Sequence, residues 1–192
     1  LSSSLATWRS SAAENSLFIR VTPLTVSIQR SAQQNQLRNR IGSHPNDGIL
    51  VKIHEWTLKL LAAQTEDTAQ FMLDSLRDCF NVPVASLRVW DSSTGLAATW
   101  HEAPDLDAAK TLAAQQVNPY CGSSAGKPGV QWLNDPASIK SVALIPMRAN
   151  GTTDSFGLLV LGSSDPARFT TDMDTHFLRQ IGEIASASVH GK

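Results

Sequence analysis

Apolar residues along the chain repeat first at a helical period and then at a period of two. Ile49, Ile53, Trp56, Leu60 and Ala63 fall at i, i+4, i+7, i+11 and i+14, one continuous face of a helix over residues 49–63. Asn46 or Asp47 is placed to cap it. Leu50 and Leu61 lie off that line and give the helix a second apolar edge. One edge can face its own domain while the other meets a partner helix. A second helix is predicted over residues 66–80, opened by Thr65 and stopped by Asn81 and Pro83. It carries Ala69, Met72, Leu73, Leu76 and Phe80 inward.

From Val84 the period becomes two. In VASLRVW, Ala85, Leu87 and Val89 alternate against Ser86 and Arg88, and the turn DSSTG leads to LAATW, so residues 84–100 read as a β-hairpin. Residues 105–116 favour a helix with Leu106, Ala109 and Leu112 inward, and VNPYCGSSAGKPG reads as a long loop because Pro, Gly and Ser dominate it. SVALIPM and FGLLVLG are two apolar strands joined through Ala149-Asn150-Gly151-Thr152, where Asn-Gly signals a hairpin. A last helix is predicted from near Thr171, with Asp172 and Asp174 complementing its N-terminal dipole. It presents Met173, Phe177, Ile181, Ile184 and Ser188 to the sheet. Hairpins rather than βαβ crossovers imply an α+β fold, a mostly antiparallel sheet with packed helices, in the layout of a GAF/PAS-like sensor domain.

Residues 1–45 differ from the rest and are expected to form a polar helical, coiled-coil-like arm, with residues 46–192 as the domain. The segment SIQRSAQQNQLRNRI has only Ile28, Leu37 and Ile41 as apolar anchors, so its helix must dock on something or fray. The run Gly42 to Gly48 is a break. A chain of 192 residues, 42% hydrophobic, has enough apolar material for a real core. Its formal net charge of −1, with scattered basic residues, gives no electrostatic reason to expect a nucleic-acid partner. No run approaches the roughly 20 apolar residues that a bilayer core demands. The opening LSSSLATWRSSAAENSLFIR lacks the compact apolar core of a secretory signal, so a cytoplasmic location with two reduced thiols, Cys79 and Cys121, is expected. Five single histidines without metal-ligand spacing, and the absence of GxSxG, P-loop and GxGxxG motifs, leave neither a metal site nor an enzyme's constellation to expect.

Three stretches carry a family resemblance. FGLLVLGSSDPARFTTDMDTHFLRQIGEIASAS resembles the closing signature of the bacterial DUF484 proteins, a GAF-like family of unknown function. PYCG followed by WLNDPASIKSVALIPM is similar to the middle of that family, and ILVKIHEWTLKLLAA to the helix leading into its domain. The resemblance covers about residues 49–189. It implies a GAF-like fold and a dimer but no chemistry, since the family has no assigned reaction. GAF domains bind small molecules or act as dimerising regulatory modules, which makes a small ligand or a protein partner the expectation here, with no cofactor named.

On that frame the candidate ligand residues are Trp100, Tyr120, Cys121, Trp132 and Arg168. The aromatics sit on segments that would border a GAF pocket, where they stack on a planar ligand or plug the cavity as core. Cys121 sits in the Gly-bearing loop, but Gly122 follows where a bilin-attaching pair needs His, and Cys79 lies on a helix, so the several loop cysteines of GAF-fold sulfoxide reductases are missing. In GSSDPARF, Asp165 caps a turn, Pro166 sets its φ, and Arg168 pairs with Asp165 or Asp172 or contacts an anion. Ile49, Leu50, Ile53, Trp56 and Leu60 are the candidate dimer interface. The expectation is thus a non-enzymatic regulatory homodimer. Its rivals are a dimerisation scaffold with a filled cavity and, more weakly, a thiol enzyme using Cys121.

Overall fold

Helix α1 runs Asp47–Ala62, two residues ahead of the predicted start, and takes in Gly48. The structure, a computed structural model, describes residues 47–63, 67–149, 151–173 and 175–190, all within the unit Pro45–Lys192. The predicted arm over residues 1–45 lies outside the described residues. Helix α2 (Thr68–Phe80) is opened by Asp67 rather than Thr65, because the Asp67 carboxylate accepts a hydrogen bond from the Gln70 amide at 3.0 Å. It ends at Asn81, whose left-handed conformation (φ 53°) suits that residue type and returns its N–H to the Arg77 carbonyl.

Four strands follow: β1 (Val84–Val89), β2 (Tyr120–Ser123), β3 (Ser141–Arg148) and β4 (Ser155–Ser163). They form one antiparallel sheet in the order β1-β4-β3-β2. The β3–β4 hairpin stands as predicted, its strands in register from Ser141↔Ser163 to Met147↔Gly157. The predicted hairpin over residues 84–100 does not form. β1 pairs with β4, and the rest of that stretch folds into two 3-10 turns, Ser92–Thr94 and Ala98–Trp100. Alternation in VASLRVW marks a strand but not its partner. The long loop after Gln116 in turn contains β2, too short and too polar to show a strand period.

Helix α3 (Leu106–Gln115) buries Ala109 and Ala113. Helix α4 spans His176–His190, later than predicted, because Met173 closes a turn onto the Thr170 carbonyl first. Its buried face is Leu178, Ile181, Gly182, Ala185, Ser186 and Val189. A β-carbon at Gly182 would stand 2.6 Å from a methyl of Ile145, so glycine is what lets α4 lie this close to β3.

Strand alternation splits the core in two. Ala143, Ile145 and Met147 of β3 and Leu159 and Leu161 of β4 join the cluster under α1, α2 and α4. Val142, Leu144, Leu158 and Val160 face the other way, under α3 and the turns after it. Both faces of β3 and β4 are therefore covered, which is why these strands read as unbroken apolar runs.

Candidate functional site

The amphipathic character of α2 supplies one wall of the site. With Ala69, Met72, Leu73 and Leu76 turned to the core, Asp67, Gln70, Asp74 and Arg77 form a polar stripe on its outer side. The stripe is internally bonded: Gln70 donates to Asp74 at 2.9 Å and Arg77 lies 3.5 Å from the same carboxylate. The opposite wall comes from β1, with Ser86 and Arg88, and from two 3-10 turns that carry Trp100 and Trp132. Together with Asn134 these enclose a cleft of about 440 Å³ beside the β1 edge of the sheet.

Arg88 organises the cleft. Its Nε donates to the Glu102 carbonyl at 3.0 Å, and Nη1 turns back onto the Leu87 carbonyl at 2.6 Å and the Ser86 hydroxyl at 3.3 Å. Nη2 has no partner among the described residues. The guanidinium stands 5.9 Å from the centre of the Trp132 ring, a cation–π distance. Desolvation lowers the Arg88 pKa from the ordinary arginine value, and the group still carries its charge. The Trp132 indole N–H is engaged by the Pro104 carbonyl at 2.8 Å, which fixes the ring plane. Bonding to its own strand also blunts β1 as an edge.

The structure brings Trp100 and Trp132 together and separates the other candidates. Tyr120 packs at the rim of the α3-side core, under the Lys127 ammonium at 4.2 Å. Cys121, next along β2, falls on the opposite sheet face and is buried in the helix-side core, on a strand and not in a loop. Arg168 pairs with neither Asp165 nor Asp172; its Nη2 donates to the carbonyls of Phe80 (3.1 Å) and Asn81 (2.7 Å) at the end of α2. Asp165 does cap its turn, accepting from the Ala167 amide at 2.9 Å. Asp172 is held by the Thr170 hydroxyl, which keeps its carboxyl below the ordinary range. Of the residues assigned to an interface, Ile53 and Trp56 are buried in the domain's own core, Ile49 and Leu60 are half-buried, and Leu50 is exposed. No sequence motif marks Arg88, Gln70, Asp74 or Asn134; the i, i+3, i+7 spacing of Asp67, Gln70 and Asp74 is the available signal.

Burial pushes the Cys121 thiol up to about 11, the reverse of what a nucleophile requires. At pH 8 only about 0.1% of such a thiol is ionised, so iodoacetamide should label the half-buried Cys79 well before Cys121, and Cys121 only on unfolding. The folded value lies above the unfolded one of about 8.5. The thiol's contribution to stability is therefore complete below that pH and is lost as pH climbs toward about 11. Peptide mapping after timed alkylation checks the first expectation, and a Cys121→Ala variant with a flatter alkaline stability profile checks the second.

Among the described residues no group of His, Cys, Asp or Glu is placed to hold a metal ion, and no helix is long and apolar enough to cross a membrane. The family model described as "Protein of unknown function, DUF484" matches residues 8–190. No curated protein matches the chain. The fold is similar to the GAF domain from an Acinetobacter phosphoenolpyruvate-protein phosphotransferase, at 16% identity and a TM-score of 0.52 over 73% of this chain and 91% of that one. A GAF domain of a putative sensor histidine kinase from Pseudomonas syringae pv. tomato also aligns, at 15% identity and a TM-score of 0.47 over 84% of this chain and 92% of that one.

Proposed function

The chain belongs to the DUF484 family, and from that premise and the cleft's geometry we propose that it is a non-enzymatic, homodimeric regulatory module of the GAF type. In this reading the cleft at β1 takes a small, polar molecule. The cleft's lining is almost wholly polar, Arg88 offers a free N–H, and two carboxylates balance two guanidiniums, which favours an uncharged or zwitterionic ligand over a strong anion.

The observation that carries the reading is the double use of α2. Its outer stripe lines the cleft, while its inner side holds α1 through the Trp56 indole N–H on Ser75 Oγ at 2.9 Å. Helix α1 in turn exposes Leu50, Val51, Leu58 and Leu61, the largest of them 78% exposed, on the side away from Trp56. A shift of α2 on ligand binding is thus passed to a helix whose apolar stripe has no partner among the described residues, and which serves as the dimer seam. A protein partner docking on the same stripe would use the same coupling.

A second reading has its own support. The sheet face under α3 is filled by Trp132, Val130, Leu133 and Ile139, which favours a dimerisation scaffold with no ligand.

Native mass spectrometry of freshly purified chain, followed by denaturing mass spectrometry, separates the readings. A dimer with extra mass that vanishes on denaturation supports the ligand-responsive module, and a bare dimer supports the scaffold. Replacing both Leu58 and Leu61 with Glu is expected to give monomers. A bare monomer from the unaltered chain overturns the seam, and extra mass that persists on the denatured chain reinstates a covalent thiol.

A further inference from the structure

We infer that a second cavity, which shares no lining residue with the cleft, binds a straight-chain alkyl monocarboxylate. The cavity holds about 370 Å³ between the first turns of α1, the end of α2, the chain after β4 and the start of α4. Its volume lies in the range of small-ligand sites. Phe80, Met173 and Phe177 are half-buried side chains at this cavity, with Phe169, Leu178 and Ile181 buried behind them. Apolar surface left concave and open in this way is what a hydrocarbon chain covers.

Among the described residues, the polar side chains that line the cavity are Lys52, Asp165 and Arg168. The Asp165 carboxylate is already engaged in its turn by the Ala167 amide. Lys52 is exposed and has no acidic partner among the described residues. Arg168 likewise lacks an acidic partner there, and its Nε is buried without any hydrogen-bond acceptor. A guanidinium so short of acceptors and without a counter-charge is matched by a carboxylate at the cavity rim. Two cations against one committed carboxylate leave a net positive rim on an apolar hole. That combination selects an amphiphile with one negative head: the alkyl chain lies among the phenylalanines and the carboxylate rests on Arg168 and Lys52. A phosphate would find the cations but nothing to fill the hole, and a neutral hydrocarbon would leave Arg168 as it is.

The site explains why Arg168 stands where it does. Its Nη2 closes the last carbonyls of α2, so a ligand bridging Arg168 and Lys52 ties the end of α2 to the first turns of α1.

Isothermal titration of the full chain with hexanoate, octanoate and decanoate, each below its micellar concentration, tests the site. One molecule per chain is expected, with Kd falling about fourfold per added methylene, the equivalent of about 0.8 kcal/mol for each one buried. Decylamine, of matched length and opposite charge, should bind at least about tenfold more weakly, and so should decanoate to a Lys52→Glu variant. Arg168 variants carry the test less well, because removing the guanidinium also uncaps α2. Lys52 has no such duty, and an unchanged circular dichroism melt of Lys52→Glu confirms it. Equal affinity for decylamine, no dependence on chain length, or full affinity in folded Lys52→Glu each overturns the proposal. None of these outcomes bears on the cleft beside β1, whose residues are untouched.

Discussion

Trp56→Ala is expected to destabilise the domain by about 3–5 kcal/mol, the range for emptying a buried aromatic site. Trp56 is wholly excluded from solvent. Its ring meets Phe80 edge-on at 5.7 Å, and its N–H donates to Ser75 Oγ, whose own proton goes to the Met72 carbonyl at 3.1 Å. Helix α1 has few other holds on the domain, since of its apolar residues only Ile53 is similarly buried. Native domains are stable by about 5–15 kcal/mol, so this loss takes a large share of the total. Trp56→Phe keeps most of the ring contact and deletes the donor to a buried serine, which should cost about 1–2 kcal/mol. Urea unfolding curves of the two variants check both values at unchanged slope. Amide exchange should rise first in α1 for the alanine variant. A cost below about 1 kcal/mol for alanine would mean that α1 is held by something other than Trp56.

Trp56 also shows what the sequence does and does not reveal. The face Ile49, Ile53, Trp56 and Leu60 is plain in the spacing, and so is the second edge at Leu50 and Leu61. Which edge goes inward is not, because both are apolar and the choice is made by what α2 and α4 present. The helix face read as an interface is the one that packs in the core. Strands β3 and β4 are legible because each is an unbroken apolar run, with the pair Asn150-Gly151 in the sequence between them. The partner of β1 is not, since β4 lies far along the chain and nothing local distinguishes a strand that pairs at long range from half of a hairpin. The site divides in the same way. Trp100 and Trp132 announce themselves as aromatics, whereas Arg88 is one polar position in an alternating strand until the fold sets it over the Trp132 ring. Tyr120 and Cys121, adjacent in sequence, read as parts of one loop, and the two-residue period of β2 sends them to opposite faces.

Arg148→Met should cost about 2–4 kcal/mol, although no motif marks the residue. Its guanidinium donates from Nε to the Thr153 carbonyl at 2.8 Å and from Nη2 to the carbonyls of Ala113 (2.9 Å) and Gln116. The first lies in the β3–β4 connection, and the other two lie at the C-terminal end of α3, where helical carbonyls have no partner of their own. The Arg148 amide meanwhile donates to Ser186 of α4 at 3.1 Å. One residue, at the irregularity that ends β3, thus joins both helical layers to the hairpin. Hydrogen bonds to a charged group contribute about 1.5–3 kcal/mol each, discounted here because the half-buried carbonyls regain some water in the variant. Methionine keeps the stem's packing, so the loss isolates the fork. Arg148→Lys should recover no more than about one of the three bonds, since an ammonium cannot span carbonyls that a planar guanidinium reaches together. Urea unfolding of the parent and both variants settles it: a lysine variant as stable as the parent would show that charge, not the fork, is what α3 requires.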